Sequence, residues 1–155
     1  MNTLNALLLL CALGSGLMAG LFFVFSVAVM KALAALPPPQ GIAAMQSINR
    51  VIVNPIFLAV FLGSGALSLA VVALAWPAPW ALAGALLYLL GSIGVTMGFN
   101  VPRNNALDRV DPGSVQGAAL WRDYLVTWTA WNHVRTLACA AALVCFIVAL
   151  KGPST

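Results

Sequence analysis

The segment WTAWNHVR, residues 128–135, combines aromatic, amide, imidazole and guanidinium side chains at the start of the last long apolar run. On a helix, Trp128, Asn132 and Arg135 are spaced i, i+4 and i+7, so their side chains share one face. Trp131 lies beside Arg135 along the edge of this face. An arginine at bilayer depth is costly and needs a partner, an aqueous cavity or a ligand. The spacing therefore predicts an internal polar site.

The only histidine of the chain, His133, lies in the same segment. It is a candidate general base, because imidazole gains and loses a proton near neutral pH. It stands one position after Asn132, so on an ideal helix it points roughly 100° away from that residue. The alternative is a ring that bonds a backbone group or faces lipid headgroups.

The composition is that of an integral membrane protein, since 63% of the 155 residues are hydrophobic and only 6% are charged. The length allows a single domain, residues 1–155, with about four spans of roughly 20 residues each. The net charge of +4 does not indicate nucleic-acid binding, because no basic patch alternates with exposed aromatic residues. The predicted fold is all-α, an integral membrane four-helix bundle.

Prolines and polar residues divide the apolar runs. The predicted spans are about residues 4–30, 56–75, 81–101 and 128–150. The segment at about 40–53 has apolar residues at helical spacing but is too short to span, which predicts a short interfacial helix between spans one and two. Pro102 is expected to kink or end the third membrane helix.

Two Gly-x-x-x-Gly pairs, Gly16 with Gly20 and Gly94 with Gly98, offer faces for close helix approach. They either pack spans within the bundle or mediate self-association, so a homo-oligomer is one expected assembly. Both pairs suit an enzyme and a binding protein equally well.

The basic residues predict the orientation in the membrane. With four spans, both termini lie on one side, where Lys151 is the basic residue. The positive-inside rule then places the opposite side in the cytoplasm and the N- and C-termini outside it, in a bacterial inner (plasma) membrane. The basic residues expected in the cytoplasm are Lys31, Arg50, Arg103, Arg109, Arg122 and Arg135.

Polar and aromatic residues from several segments are expected to meet at the cytoplasmic mouth of the bundle. Phe22 and Phe25 are further candidates for a flat apolar pocket, the alternative being general core or lipid contact. Charged residues also accumulate at membrane interfaces for simpler reasons, which we favour for Arg109 and Arg122. The candidates at the mouth are Asn49, Arg50, Asn54, Asn100, Arg103, Asn104, Asp123, Trp128, Trp131, Asn132, His133 and Arg135.

The residue patterns predict no cofactor and no metal. The three cysteines lie in apolar runs without a Cys-x-x-Cys pair, and a single histidine argues against a histidine-rich di-iron site or a haem held by two histidines. No carboxylates and histidines have metal-ligand spacing, and no phosphate-binding loop or dinucleotide fingerprint is present. An enzyme with this sequence is expected to work without a tightly bound metal or nucleotide.

Three motifs in this order carry a family resemblance: MQSINR at residues 45–50, NVPRNNAL at 100–107 and WTAWNHVRT at 128–136. In a four-span chain of this length, they resemble the anthrone oxygenase-like family of membrane proteins, known also as a domain of unknown function. The resemblance covers nearly the whole chain, and the third motif is the most specific. It implies oxidation of an anthrone to an anthraquinone by molecular oxygen, without a recognised metal or flavin.

The resemblance implies a hydrophobic aromatic or quinol-like substrate that partitions from the bilayer. An anthrone forms an enolate that reacts with oxygen directly, so the protein would supply a base, donors for the oxyanion and a dry pocket. We expect His133 as the base, with Arg135 and Asn132 at the oxyanion. The expected substrate-binding residues are Asn49, Arg50, Asn54, Asn100, Asn104, Trp128, Trp131, Phe22 and Phe25.

Two other classes of function compete with the enzyme. One is a small accessory or binding membrane protein that recognises a lipid headgroup or a partner subunit. The other is a small transporter, which the uncharged second and third spans disfavour. An enzyme predicts that Arg135 and Asn132 enclose a cavity open laterally to the bilayer, whereas an accessory protein predicts that they face headgroups around a closed bundle.

Overall fold

The computed structural model describes residues 2–152 of the chain. Within this range the chain is 89% helical with no strands, and it includes four helices long and apolar enough to cross a membrane. The predicted all-α fold, an integral membrane four-helix bundle, is therefore confirmed. Residue 1 and residues 153–155 of the predicted domain lie outside the described residues.

Residues 2–152 form five helices: α1 Thr3–Ala34, α2 Pro38–Ile52, α3 Pro55–Leu74, α4 Pro79–Asp108 and α5 Val115–Lys151. Pro38, Pro55 and Pro79 each stand at the first position of a helix, where the missing N–H interrupts no intrahelical bond. The Asn54 side chain caps α3 by accepting from two backbone N–H groups of its first turn. Ser114 caps α5 in the same way.

The helix lengths indicate where the membrane lies along the bundle. Helix α3 has 20 residues, about 30 Å at 1.5 Å per residue, which matches the hydrocarbon core of a bilayer. Helices α1, α4 and α5 have 32, 30 and 37 residues and extend past the predicted span limits at Met30, Val101 and Trp128. Their additional turns lie beside α2, at the end of the bundle opposite Thr3 and Lys151. We call this end, built by α2, the last turns of α1 and α4 and the first turns of α5, the polar end.

Helix α4 does not end at Pro102. It continues to Asp108 through a wider π-helical turn at Thr96–Asn100, which ends two residues before the proline. Such a turn accommodates a residue that cannot donate a backbone hydrogen bond. Arg103 braces the segment, since its Nη1 donates at 2.8 Å to the carbonyl four residues earlier and its Nε donates at 3.0 Å to Thr127 Oγ1 of α5.

The buried apolar residues form two clusters. One lies in the membrane-spanning part of α1, α3, α4 and α5, where Tyr88 donates to the Phe61 carbonyl at 3.0 Å. The other lies at the polar end and includes Met45, Trp121 and Trp128. Helix α5 runs through both clusters and packs to a similar extent against α1 and α4.

Helix α2, the predicted short interfacial helix, covers the polar end. Gln46 Nε2 donates to the carbonyls of Leu107 and Val110, at 2.9 and 3.1 Å. Arg50 Nη1 lies 3.0 Å from Asp108 Oδ1 in an exposed ion pair. Because exposed ion pairs contribute little, the buried Gln46 amide is the stronger link between α2 and the end of α4.

The helices approach each other closely at Gly14 and Gly91, which do not belong to the predicted Gly-x-x-x-Gly pairs. A Cβ on Gly14 would overlap a serine side chain of α3, and a Cβ on Gly91 would overlap the Ala138 Cβ of α5. A Cβ on Gly20 or Gly98 would meet no atom within 4 Å. The packing of α4 on α5 therefore depends on Gly91.

The glycine contacts give a stability prediction. Gly91→Ala should lower the free energy of unfolding by about 1–3 kcal/mol, because the added methyl group must displace Ala138 in a packed interface. Gly98→Ala, in the same helix, is the matched control and should leave stability unchanged or slightly raised. Unfolding in detergent measures both variants, and equal stabilities would contradict this packing.

Candidate functional site

The buried face of α5 carries aromatic and polar side chains in series at the polar end. Trp121, Tyr124, Trp128, Asn132 and Arg135 follow at spacings of three or four residues, and all are buried. This spacing places them on one side of the helix. The ring centroids of Trp121 and Tyr124 are 5.5 Å apart, and those of Tyr124 and Trp128 are 5.9 Å apart. The series of rings leads along α5 towards Arg135.

Arg135 is a buried cation without a carboxylate partner. Its side chain is 6% exposed, and no Asp or Glu among residues 2–152 lies within ion-pair distance of it. Its Nη2 donates to Asn132 Oδ1 at 2.7 Å, and its Nη1 donates to Thr96 Oγ1 of α4 at 3.2 Å. The Nε atom has no hydrogen-bond partner. Neutral oxygens thus hold the guanidinium, and part of its donor capacity is unused.

Two aromatic rings flank the guanidinium. The Arg135 Cζ lies 4.1 Å from the ring centroid of Phe22 and 5.1 Å from that of Trp128. A desolvated cation–π contact is worth about 2 kcal/mol, which offsets part of the cost of burying the cation. The rings add no negative charge, so the positive charge is available to an anionic group beside them.

Asn132 fixes the position of Arg135 relative to α1. It is fully buried, and its Nδ2 donates to the Phe22 carbonyl at 2.7 Å and to Ser26 Oγ at 2.8 Å. Because Nδ2 is engaged with α1, Oδ1 is the atom that accepts from Arg135. Ser26 lies in a π-helical turn of α1, Phe25–Val29. Such wider turns are frequent at functional sites.

A cavity of about 120 Å³, open on one side, lies against Arg135 at the polar end. All five helices or their connections contribute to its wall, which is mainly apolar and aromatic. Arg135 is the only titratable residue among those that line it. The lining residues are Leu21, Phe22, Phe25, Met45, Ile48, Asn49, Ile52, Val53, Phe57, Thr96, Val101, Asn104, Trp128 and Arg135.

The helix lengths indicate that the cavity lies near one end of the membrane-spanning part of the bundle. Arg135 is about 24 Å from Lys151 along α5, at the helical rise of 1.5 Å per residue. Phe57, in the first turn of α3, lines the cavity at the same level. Helix α4 beyond Val95 makes few contacts with α3, although both helices line the cavity.

Asn104 ties the end of α4 to α5. Its Oδ1 accepts from Tyr124 Oη and from Trp128 Nε1, both at 2.8 Å. Since the indole N–H can only donate, this contact fixes which amide atom faces the ring. Asn100 Nδ2 donates to the Trp128 carbonyl at 3.2 Å. Together these bonds orient Trp128 in the cavity wall.

The profile of the anthrone oxygenase family matches residues 43–145 of this sequence. The match covers well over half of the chain, from α2 to the second half of α5, and includes the three motifs on which the resemblance was based. This chain belongs to the anthrone oxygenase family. No curated protein and no solved structure matches the chain.

In this anthrone oxygenase family member, the matched region and α1 contribute different parts of the site. The residues that α2, α4 and α5 contribute lie within the match, and they include every polar residue of the cavity lining. Phe22 and Phe25 of α1 lie outside the match, and they contribute aromatic rings to the wall. Family membership alone therefore does not describe the whole cavity.

The structure brings most of the predicted site residues together. Asn100 and Asn132 are buried behind the cavity, where they orient Trp128 and Arg135. No group of three or more His, Cys, Asp and Glu side chains among residues 2–152 could hold a metal ion. The predicted residues that line the cavity are Phe22, Phe25, Asn49, Asn104, Trp128 and Arg135.

Four other predicted site residues have side chains that neither line the cavity nor hydrogen-bond Trp128 or Arg135, as those of Asn100 and Asn132 do. His133 is exposed on the outer side of α5, as its offset from the buried face requires, so its placement gives no support to its predicted role as a base. Trp131 stacks on Phe99 with ring centroids 3.6 Å apart, away from the cavity. Arg50 forms its exposed ion pair, and Asn54 caps α3. Trp131, Arg50 and Asn54 thus have structural roles that do not involve a ligand.

The sequence analysis missed most of the apolar residues of the cavity wall and three polar residues that hydrogen-bond within the site. Thr96 accepts a hydrogen bond from Arg135, and Ser26 accepts one from Asn132. Tyr124 donates a hydrogen bond to Asn104. Tyr124 could have been found, since it precedes Trp128 by four positions on the same helical face. Thr96 and Ser26 gave no such signal, because single hydroxyl residues are ordinary in membrane spans.

Removal of the Asn132 amide tests the bonding around Arg135. Asn132→Leu should lower the free energy of unfolding by about 3 kcal/mol, because it leaves buried donors and acceptors of α1 and Arg135 unpaired. Asn105→Leu, at an exposed position of α4, is the matched control. Unfolding in detergent compares the two, and a fully stable Asn132→Leu variant would show that Asn132 does not hold Arg135.

Proposed function

We propose that this protein oxidises a hydrophobic aromatic substrate of the anthrone or quinol type with molecular oxygen in the cavity at the polar end. One observation carries the proposal: Arg135 is a buried cation, flanked by two rings, that lines an apolar cavity without a carboxylate partner. Such a site favours a planar molecule with an oxyanion on one edge. The name of the matched family points to the same chemistry.

The reaction is written here for an anthrone. Loss of a proton from the ring methylene gives an enolate, whose oxyanion binds the Arg135 guanidinium. The enolate carbon transfers electrons to O2 and forms a C–O bond to it, which gives a hydroperoxide after protonation. Elimination of water from the hydroperoxide gives the second carbonyl. One anthrone and one O2 thus yield one anthraquinone and one water, with no external reductant.

Arg135 would promote this reaction by stabilising the enolate relative to the neutral substrate. The described cavity lining contains no carboxylate, imidazole or amine that could accept the proton. We therefore assign proton removal to water or hydroxide at the open side, rather than to His133. The aromatic wall would keep the remaining water away from the oxyanion, which strengthens its attraction to the guanidinium. In this proposal the enolate itself reduces O2, so no cofactor takes part.

The cavity size and position suggest how the substrate enters. At about 120 Å³ the cavity is smaller than the roughly 300–1,000 Å³ of typical ligand pockets. A tricyclic substrate would therefore place its reacting edge at Arg135 and leave its remaining rings in the opening. We assign the entrance to the loosely packed boundary between the first turn of α3 and the last turns of α4, which would admit substrate from the bilayer.

Oxygen uptake tests the role of Arg135. With an anthrone such as emodin anthrone, Arg135→Gln in detergent should lower the rate by about 100-fold, the cost of removing one preorganised oxyanion donor. An oxygen electrode measures uptake above the spontaneous rate. Arg122→Gln, at an exposed position of the same helix, is the matched control and should retain full activity.

Two further oxygen-uptake measurements test the identity of the base and the absence of a metal cofactor. The His133→Ala variant should retain activity. An inactive His133→Ala variant would instead support His133 as the base. A metal chelator should not change the rate, and loss of uptake with chelator would contradict a cofactor-independent reaction. Uptake no faster than the spontaneous rate would reject the anthrone as substrate and favour a binding protein.

We infer that the polar end faces the cytoplasm and that both termini lie outside it. The polar end carries Lys31 and four exposed or half-buried arginines, whereas Lys151 lies at the other end. Reporters fused to either terminus should therefore give the signal of the non-cytoplasmic side. A cytoplasmic signal from both fusions would reverse this orientation.

A further inference from the structure

Asn49 is a polar cavity residue that the proposed reaction does not use. It lies on α2 and lines the cavity together with Met45, Ile48 and Ile52 of the same helix. Its amide lies near the Tyr124 hydroxyl, but no described residue lies within hydrogen-bond distance of it, and its Nδ2 is covered and unpartnered. The residue is half-buried, and a covered amide nitrogen without a partner lowers stability, so the amide of Asn49 is available to bond a ligand in the cavity.

The other polar side chains of the lining already have protein partners. Thr96 Oγ1 accepts from Arg135, and Asn104 Oδ1 accepts from Tyr124 and Trp128. Asn49 thus differs from them, because it contributes a complete amide group with both donor and acceptor capacity. The terminal torsion of an Asn side chain is broad, so a small rotation can turn either amide atom towards a ligand.

Asn49 and Arg135 belong to different walls of the cavity. Asn49 comes from α2, which covers the polar end, whereas Arg135 comes from α5 and bonds α4 through Thr96. A flat ligand with its oxyanion at Arg135 therefore has Asn49 beside another part of its ring system. The other α2 residues that line the cavity are apolar, so a polar substituent there has Asn49 as its partner from this helix.

We propose that Asn49 is a specificity-determining residue that hydrogen-bonds a second oxygen of the substrate, apart from the oxyanion held by Arg135. This inference rests on the proposed function, and it narrows the substrate class to aromatic ketones or quinols that carry a further hydroxyl or carbonyl group. A neutral side chain suits this role, because it can bond the second substituent without competing with Arg135 for the negatively charged oxygen. A site built to bond a substrate hydroxyl discriminates against the analogue that lacks it.

The test compares binding of two unreactive ligands by wild-type protein and Asn49→Leu. The ligands are anthraquinone and a dihydroxyanthraquinone with both hydroxyls on one edge, and binding is measured from the shift in thermal unfolding as each ligand is titrated in detergent. Wild-type protein should prefer the dihydroxy ligand about tenfold more than Asn49→Leu does. The comparison of the two proteins cancels the different partitioning of the ligands into detergent.

The stability of the Asn49→Leu variant without ligand shows whether Asn49 has a structural role. Asn49→Leu replaces an unpartnered amide by an apolar group of similar shape, so its unliganded stability should equal or exceed that of the wild type. A large loss of stability would show that Asn49 supports the fold, and it would overturn the proposal. Asn105→Leu is the control for an exposed asparagine and should keep the wild-type ligand preference.

Comparison with turnover distinguishes this inference from the proposed function. Oxygen uptake that depends on Arg135, with an unchanged ligand preference in Asn49→Leu, would overturn the role of Asn49 and leave the oxygenase proposal intact. A lost preference without any oxygen uptake would support Asn49 as a ligand-binding residue and reject the oxygenase. Failure of both quinones to stabilise the wild-type protein would overturn the role of Asn49.

Discussion

The burial of Arg135 without a counter-ion is the constraint on which the site depends. A guanidinium near the edge of the hydrocarbon core is stable only if its donors and its charge find partners. Here Asn132 and Thr96 provide oxygen acceptors, and Phe22 and Trp128 provide ring faces. Each of these groups is neutral, so the charge stays uncompensated. The same arrangement that makes the arginine tolerable leaves it able to bind an anion.

The helix lengths explain why this arginine can lie beside a cavity. Helix α3 is as long as the hydrocarbon core is thick, while α1, α4 and α5 project beyond it and support α2 at the polar end. The cavity forms where α3 begins and the longer helices continue. Under the proposed function, this position would give an apolar ligand access from lipid and a released proton access to water. The proposed chemistry needs both.

Hydrogen bonding at the polar end is organised around fixed amides. Asn104 and Asn100 orient Trp128, Asn132 orients Arg135, and Gln46 attaches α2 to the end of α4. Each of these amides bonds the protein through at least one atom, although Asn100 Oδ1 is buried without a partner, and each bond fixes which amide atom faces the neighbouring helix. Asn49 departs from this pattern among the described residues that line the cavity. The Asn49 amide is therefore free to hydrogen-bond a ligand, which is the role we propose for it.

The sequence by itself determined the membrane class, the four apolar helices and the shared face of Trp128, Asn132 and Arg135, because composition and helical spacing are local properties. The tertiary structure decided which residues meet. Asn132 bonds Phe22, a residue 110 positions earlier, and helical spacing does not specify how one helix is rotated against another. For that reason the sequence could not show which polar residues of other helices line the cavity beside Arg135, as Asn49 does and Arg50 does not, nor that close helix packing occurs at Gly91 rather than at Gly98.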